Sequence, residues 1–506
     1  MNKDSLVYRS IIMVIMNFFI RFIGFVYGIF LSRLLGAETL GLLQIANSTM
    51  MVFLILTTSG IPTSITKLVA EENSKNKYSN IEKIYKSTMT FNLITSIILG
   101  LLLFVFAELI SIKIFKNIDM LIIVYLLIPA IIIISLSNIL RSFFYGMKNM
   151  IIPSIAQIIE HVTRFIFVIG LLYLLKPNDP IHSAIIAIIG IGFGEFFDLL
   201  WSLANKKRLY KINSKAIPSR QKFQYLTKIL TISLPLTISG FFHIILMFSN
   251  SVLIPNRLIT AGYSSNEALA IFGRITGMTM PLITLPFIVT SALAVNLITS
   301  LSEKMITKKF NDLRHDIELS IRITLLVSIP LMVIYIVLSK PIAYFLYNDI
   351  FVAKFIQVMG FSTVFFALQH TFSGILYGIG KQTSATINRI LGMVVRVILI
   401  YSLMGDPKIG VNGFFISFFV SIFITLLLDI VTLESVIKIK LNYCDSIIKP
   451  LFASLFMVGF IYIFTYEIDS LQFSNPIAFF STLGIGALSY FFILILTKAI
   501  PKIFKI

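Results

Sequence analysis

Cysteine and tryptophan are nearly missing from this chain, with one of each among 506 residues. The lone Cys444 excludes a disulfide framework and any metal cluster built on several thiolates, and a cytoplasmic loop is its expected place. Charge is scarce too, at 13% of residues against 57% hydrophobic, with a mean hydropathy of +0.93. No soluble domain of this length needs so much apolar surface, so the long uncharged runs read as bilayer-spanning helices. Acids are outnumbered 23 to 42, giving a formal net charge of +19. Nucleic acid is not the implied partner, because the basic residues stand between apolar runs, where they set membrane topology. The first run, residues 10–32, is too long for a cleavable leader, lacks a small-x-small site and carries Arg21 at its middle.

Catalytic patterns are lacking as well. The five histidines are scattered without metal-ligand spacing, and no Ser/His/Asp set stands out. The GIGFG at Gly190 to Gly194 has no strand before it and no soluble helix after it, so helix packing by small residues explains it better than a nucleotide site. GILYGIGKQT, from Gly374 to Thr383, fails the phosphate-loop pattern on spacing and on the residue after Lys381. The chain is expected to be no enzyme and to hold no cofactor or metal.

What the chain does have is apolar windows of roughly 20 residues, about fourteen of them. They lie near 10–33, 44–66, 87–110, 119–143, 153–175, 182–203, 229–254, 267–299, 317–339, 354–379, 385–404, 411–433, 448–466 and 477–498. Lys75, Lys77, Lys83 and Lys86 follow the second window, a dense basic run follows the sixth, and Lys304, Lys308, Lys309 and Arg314 follow the eighth. These loops belong to one side, which the positive-inside rule makes cytoplasmic, and both termini fall with them.

Residues 10–205 and 242–433 echo each other at a constant offset of 232 positions. Gly41 matches Gly273, Glu71 matches Glu303, Tyr145-Gly146 matches Tyr377-Gly378, and Arg164 matches Arg396. Six windows precede the second copy, an even number, so the copies run parallel, related by an axis along the membrane normal. The expected fold is an all-α polytopic membrane protein. Residues 1–205 form a six-helix lobe, 206–228 a basic cytoplasmic linker, 229–433 a second six-helix lobe, and 434–506 an added helix pair. Duplicated bundles of this kind are the usual build of secondary transporters.

Charges inside the windows are the candidate site. Arg21 lies twelve residues from both Arg9 and Arg33, about 18 Å from each at ~1.5 Å per residue. An unpartnered guanidinium at that depth costs at least ~2.5–3.5 kcal/mol. Two readings stand: a structural ion pair, or a cavity cation whose planar fork bonds an anionic phosphate. Arg274 precedes Pro281 and Pro286, which with Pro62 are the candidate helix hinges. Glu160 and Arg164, spaced i, i+4, are either a structural pair or part of a binding or gating site, and Arg396 repeats the arginine. Glu195 and Asp198, with Asp429 in the comparable place of the second copy, are candidates for ion coupling. The bland alternative makes the first two interfacial partners of Lys206 and Lys207.

The segments RFIGFVYGIFLSRLLGAETLGLLQ (21–44), GIPTSITKLVAEE (60–72), LRSFFYGMKNMIIPSIAQIIEHVTR (140–164) and EALAIFGRITGMTMPLITLPFIVTSALAVNL (267–297) together resemble the stage V sporulation protein B family. That family sits within the polysaccharide and lipid-linked oligosaccharide exporter superfamily, and the similarity runs over essentially the whole chain. The resemblance implies a fourteen-helix fold with a central cavity, and export of a lipid-linked, pyrophosphate-bearing cell-wall precursor from the inner to the outer leaflet. For this branch the setting is spore cortex peptidoglycan in the bacterial cell membrane. By position, Arg21 and Arg274 correspond to basic residues that related lipid II flippases place in the cavity. Tyr27 and Gly28 stand where those flippases have a further Arg-Asp pair. The implied partners are a lipid-linked glycan, membrane lipids and cell-wall synthesis enzymes. Multidrug export on the same fold and a non-transporting scaffold remain as alternatives. A membrane enzyme is disfavoured by outer loops of only about ten residues.

Overall fold

The computed structural model describes residues 6–58, 60–177, 179–209, 219–439, 442–467 and 476–499. The middle of the basic linker and both chain ends, all expected to be cytoplasmic, lie outside the described residues. What is described is helical, with no strand among the described residues. In chain order the helices are α1 (Leu6–Thr58), α2 (Gly60–Ser74), α3 (Tyr78–Glu108), α4 (Met120–Gly146), α5 (Ile151–Leu175), α6 (Pro180–Leu209), α7 (Ser219–Thr260), α8 (Ser265–Gly273) and α9 (Met280–Ile283). They continue with α10 (Phe287–Ile306), α11 (Phe310–Val337), α12 (Ser339–Ile342), α13 (Val352–Gly360), α14 (Ser362–Gly378), α15 (Gln382–Leu403), α16 (Val411–Glu434), α17 (Lys449–Glu467) and α18 (Pro476–Leu496).

Eleven helices among the described residues are long and apolar enough to cross a bilayer, and two bent pairs raise the number to as many as thirteen. The apolar runs thus became spans, though the structure does not fix the count at fourteen. One of the eleven, Phe18–Ser74, is 57 residues long. At ~1.5 Å per residue it measures roughly 85 Å, far beyond a ~30 Å hydrocarbon core, so it holds more than one crossing. Its break is Gly36, at φ 74° and ψ 174°, a conformation that a residue with Cβ rarely adopts. The bent pairs follow the prolines only in part. Ser265–Ile283 and Phe287–Ile306 meet at 60°, with Pro281 inside α9 and Pro286 just before α10. The 53° bend between α13 and α14 has no proline at all. Pro62 stands in the first turn of α2, where its missing N–H costs no helical bond.

The chain packs as two units: residues 1–256 with 264–273, and 257–263 with 274–506. In this division α7 goes almost entirely with the first unit, whereas the lobe expected over 229–433 includes it. Gly60 explains why. A Cβ on it would lie 2.1 Å from the Ser233 carbonyl oxygen, so its bare backbone lets α2 rest directly on α7. Ser48 and Ser251 hydroxyls lie 2.6 Å apart, and Asn256 donates to the Ile114 carbonyl at 2.8 Å.

The core of the first unit gathers Ile65, Val69, Ile81, Ile84, Leu140 and Phe143 with Ile229 of α7. In the second unit Leu301, Leu313, Ile317, Ile375, Leu376 and Leu433 join α10, α11, α14 and α16. The repeat mates Gly41 and Gly273 meet inside the first unit. A Cβ on Gly41 would strike the Leu269 carbonyl, and one on Gly273 would strike the Ala37 carbonyl. Ala37 and Leu269 are themselves separated by the repeat offset, so α1 and α8 cross through a reciprocal contact of matched residues, as a two-fold demands.

Candidate functional site

Three helices of the first unit bring their charged faces together. On α5 the i, i+4 spacing puts Glu160 and Arg164 on one face, and on α6 the i, i+3 spacing does the same for Glu195 and Asp198. Between them comes Arg141, near the end of α4. Arg141 Nε donates to Asp198 Oδ2 at 2.8 Å, and its Nη2 donates to Glu195 Oε2 at 2.9 Å and to Asp198 Oδ2 at 2.5 Å. Glu160 Oε2 lies 3.9 Å from that same nitrogen, and Arg164 donates to Glu160 Oε1. Ser202 adds a hydrogen bond to Asp198 Oδ1 at 3.3 Å. All three acids are buried, Asp198 completely.

The close approach of α6 to α5 rests on Gly194, where a Cβ would sit 2.7 Å from the Glu160 carbonyl oxygen. Helix packing is therefore the role of the glycine run. Gly194→Ala is expected to cost about 1–3 kcal/mol by overpacking, whereas Gly192→Ala, with its nearest neighbour at 3.8 Å, is near neutral. Thermal unfolding of the two purified variants checks this.

Arg164 and Glu195 also line a cavity of about 340 Å³ among α1, α4, α5 and α6, together with Tyr27, Asn47 and a ring of apolar side chains. Two guanidiniums face three carboxylates in this cluster. Arg164 is thus a neutralised cation, poorly suited to hold a phosphate alone.

The interfacial partnership expected for Glu195 and Asp198 is corrected here: Arg141 holds both. Lys206 turns instead to Glu82, at 2.8 Å, and lies over the Tyr85 ring. Arg274 is also engaged. Its Nε donates to Asp349 Oδ2 at 2.7 Å, and its guanidinium lies over Phe351. Arg396 has no carboxylate partner among the described residues and packs over the rings of Phe414 and Phe418. Arg21 is different again. It is exposed, flanked by exposed Phe18, Phe19 and Phe22, and makes no ion pair among the described residues.

Arg141 and Asp349 were the residues that sequence reasoning missed. Arg141 had a signal, a lone charge at the end of an apolar window (NILRSFF). Asp349 stands in a loop and had none.

A family model described as polysaccharide biosynthesis protein matches residues 6–295, more than half of the chain. The chain belongs to that family. A second model, MatE, matches residues 230–402. Stage V sporulation protein B of Bacillus subtilis (strain 168) is 26% identical over 505 residues, covering 99% of this chain and 97% of its own. The lipid II flippase MurJ of the same organism is 23% identical, covering 78% and 77%. Among solved structures, a lipid II flippase MurJ in an inward closed conformation superposes with a TM-score of 0.71 at 18% identity, over 96% of this chain and 99% of that one. The resemblance seen in the sequence therefore holds. This is an all-α, multi-pass membrane protein of the polysaccharide biosynthesis protein family, with the fold seen in the lipid II flippase structure.

Proposed function

We propose that this protein is a flippase that moves a lipid-linked, pyrophosphate-bearing cell-wall or polysaccharide precursor from the inner to the outer leaflet by alternating access. The setting proposed is the bacterial cell membrane, with both termini cytoplasmic and spore cortex peptidoglycan as the product served. The observation that carries the reading is Arg21. It is an exposed guanidinium that makes no ion pair among the described residues, with exposed Phe18 one turn before it on the same helix face and exposed Phe22 beside it. An amphiphile with an anionic head and an apolar tail fits such a face, since the fork can bond two phosphate oxygens while the rings meet hydrocarbon. Arg396, also unpaired by any acid among the described residues, is the second anion-seeking group.

A cavity of about 570 Å³ in the second unit adds support. It lies among α11, α17 and α18, and its lining is almost wholly apolar, with Leu326, Pro330, Met457, Tyr490 and Leu494 among the side chains. A polyprenyl tail needs such a seat and a hydrophilic solute does not. An interior-negative potential favours outward movement of anions by ~2.3 kcal/mol per charge per 100 mV. The relative named as a lipid II flippase and the relative named for sporulation agree with this chemistry and setting.

A second reading is export of cationic amphiphiles, favoured by Glu195 on the wall of the 340 Å³ cavity and by the carboxylate excess behind it. Liposomes containing the protein distinguish the two when offered a labelled lipid II and, separately, a cationic dye. Arg21→Ala is expected to slow lipid II translocation about 10- to 100-fold, the worth of a charge-assisted hydrogen bond of ~1.5–3 kcal/mol. Arg21→Lys, which keeps the charge and loses the fork, should fall between. Unchanged rates in both remove Arg21 from the mechanism, and transport of the dye alone favours the second reading.

A further inference from the structure

The two copies treat their shared acid differently. Asp198 of the first copy is clamped by Arg141. At the repeat offset the position of Arg141 is occupied by Ser373, and Asp429 stands one residue from the match to Asp198. Asp429 is 1% exposed, and its Oδ1 accepts from Asn388 Nδ2 at 2.8 Å. Its Oδ2 is buried with no hydrogen-bond partner. Asn388 shares its donor with Thr432 Oγ1 at 3.2 Å, which leaves little more to give.

The groups on the helices packed around Asp429 supply no clamp. On α15, Arg389 follows Asn388 and acts on Asp429 through space, but its Nη2 donates to Ser373 Oγ at 3.1 Å. Arg396, on the same helix, lies over Phe418, eleven residues or about 17 Å up α16 at ~1.5 Å per residue. Tyr401 is farther along α15. On α14, His370 bonds Thr290 and stacks on Phe287, and Tyr377 is near the helix end. Glu434 of α16 is a second acid, not a cation.

An ionised carboxylate buried with one oxygen unpaired is costly, and the neutral acid relieves that cost. The nearby positive charge of Arg389 acts in the opposite sense, favouring the ionised form. A group so divided can exist in both forms. We propose that Asp429 is a proton-binding site of the second unit, taking one proton from water onto Oδ2 and returning it, with Asn388 holding Oδ1 in both states. Asp198 differs in geometry, because both of its oxygens have partners, Oδ2 in Arg141 and Oδ1 in Ser202. The site stands independently of the substrate that the transporter carries.

Infrared difference spectra of the full-length protein in lipid nanodiscs, recorded between neutral and acid pH, test this without any transport assay. The expected result is a protonated-carboxyl C=O band that grows as pH falls and is lost in Asp429→Asn. Ser373→Arg rebuilds the clamp of the first copy and should also abolish the band, by holding Asp429 ionised. That variant keeps the test decisive if Asp429→Asn fails to fold. Two results overturn the proposal: wild-type spectra unchanged by both substitutions, or a band of constant size at every pH, which marks a permanently neutral structural acid.

Discussion

Arg141→Met should destabilise the protein by roughly 3–5 kcal/mol, the usual consequence of removing one partner from a buried charge network. The substitution nearly conserves volume, so a cavity is not the cause. What it leaves is three buried carboxylates, Glu160, Glu195 and Asp198, facing Arg164 alone. Such like charges, desolvated and crowded between α4, α5 and α6, drive those helices apart. The chain reports on this itself, because its single tryptophan, Trp201, lies on α6 three residues beyond Asp198 and packs on the core of the first unit. Its fluorescence followed through thermal unfolding gives the measurement. The triple variant Arg141→Met, Glu195→Gln, Asp198→Asn carries the decisive comparison, since it removes the charges with the clamp. It should recover most of the lost stability, as apolar or neutral replacements of buried ion networks often do. A single variant that melts with the wild type, or a triple variant no better than the single, would show that the cluster does not hold the helices.

The spans were legible because a bilayer accepts little except long apolar helices, so composition alone marks them. The Glu160–Arg164 pair was legible for a similarly local reason, four residues on one helix. Arg141 was not, since its partners stand 54 and 57 residues away on α6, and only packing brings α4 to them. A sequence shows Lys206 close to Asp198 in number, yet the helix carries the lysine two turns on, toward Glu82 and Tyr85. Arg274 presents the same limit. The family resemblance implied a cavity position for it, and nothing in the sequence tied it to Asp349, 75 residues on. The duplication, by contrast, said more than it was asked. It matched Gly41 to Gly273 by number, without revealing that these two residues touch.

That contact sets the other large expectation. Substituting either glycine by alanine should force α1 and α8 apart, because each new methyl would meet backbone rather than a yielding side chain. On Gly273 the Cβ would lie 1.9 Å from the Ala37 oxygen and 2.7 Å from the Gly41 nitrogen, and on Gly41 it would lie 2.1 Å from the Leu269 oxygen. Carbon and oxygen in contact need well over 3 Å, roughly the ~3.5–4.0 Å of ordinary non-bonded optima, so a helix shift of about 1 Å or more must follow. Overpacking of this kind costs about 1–3 kcal/mol where side chains can adjust, and here they cannot, so Gly41→Val and Gly273→Val should fail to accumulate as folded protein. Gly24→Ala and Gly28→Ala on the same helix α1, with nothing within 4 Å of the new methyl, are the controls and should unfold with the wild type. Because the contact is reciprocal, the two glycines are expected to be coupled rather than additive: once one substitution has separated the helices, the second meets open space. A double variant, Gly41→Ala with Gly273→Ala, should therefore cost clearly less than the sum of the two singles in Trp201-monitored melts. Strict additivity would mean that α1 and α8 do not cross at this point.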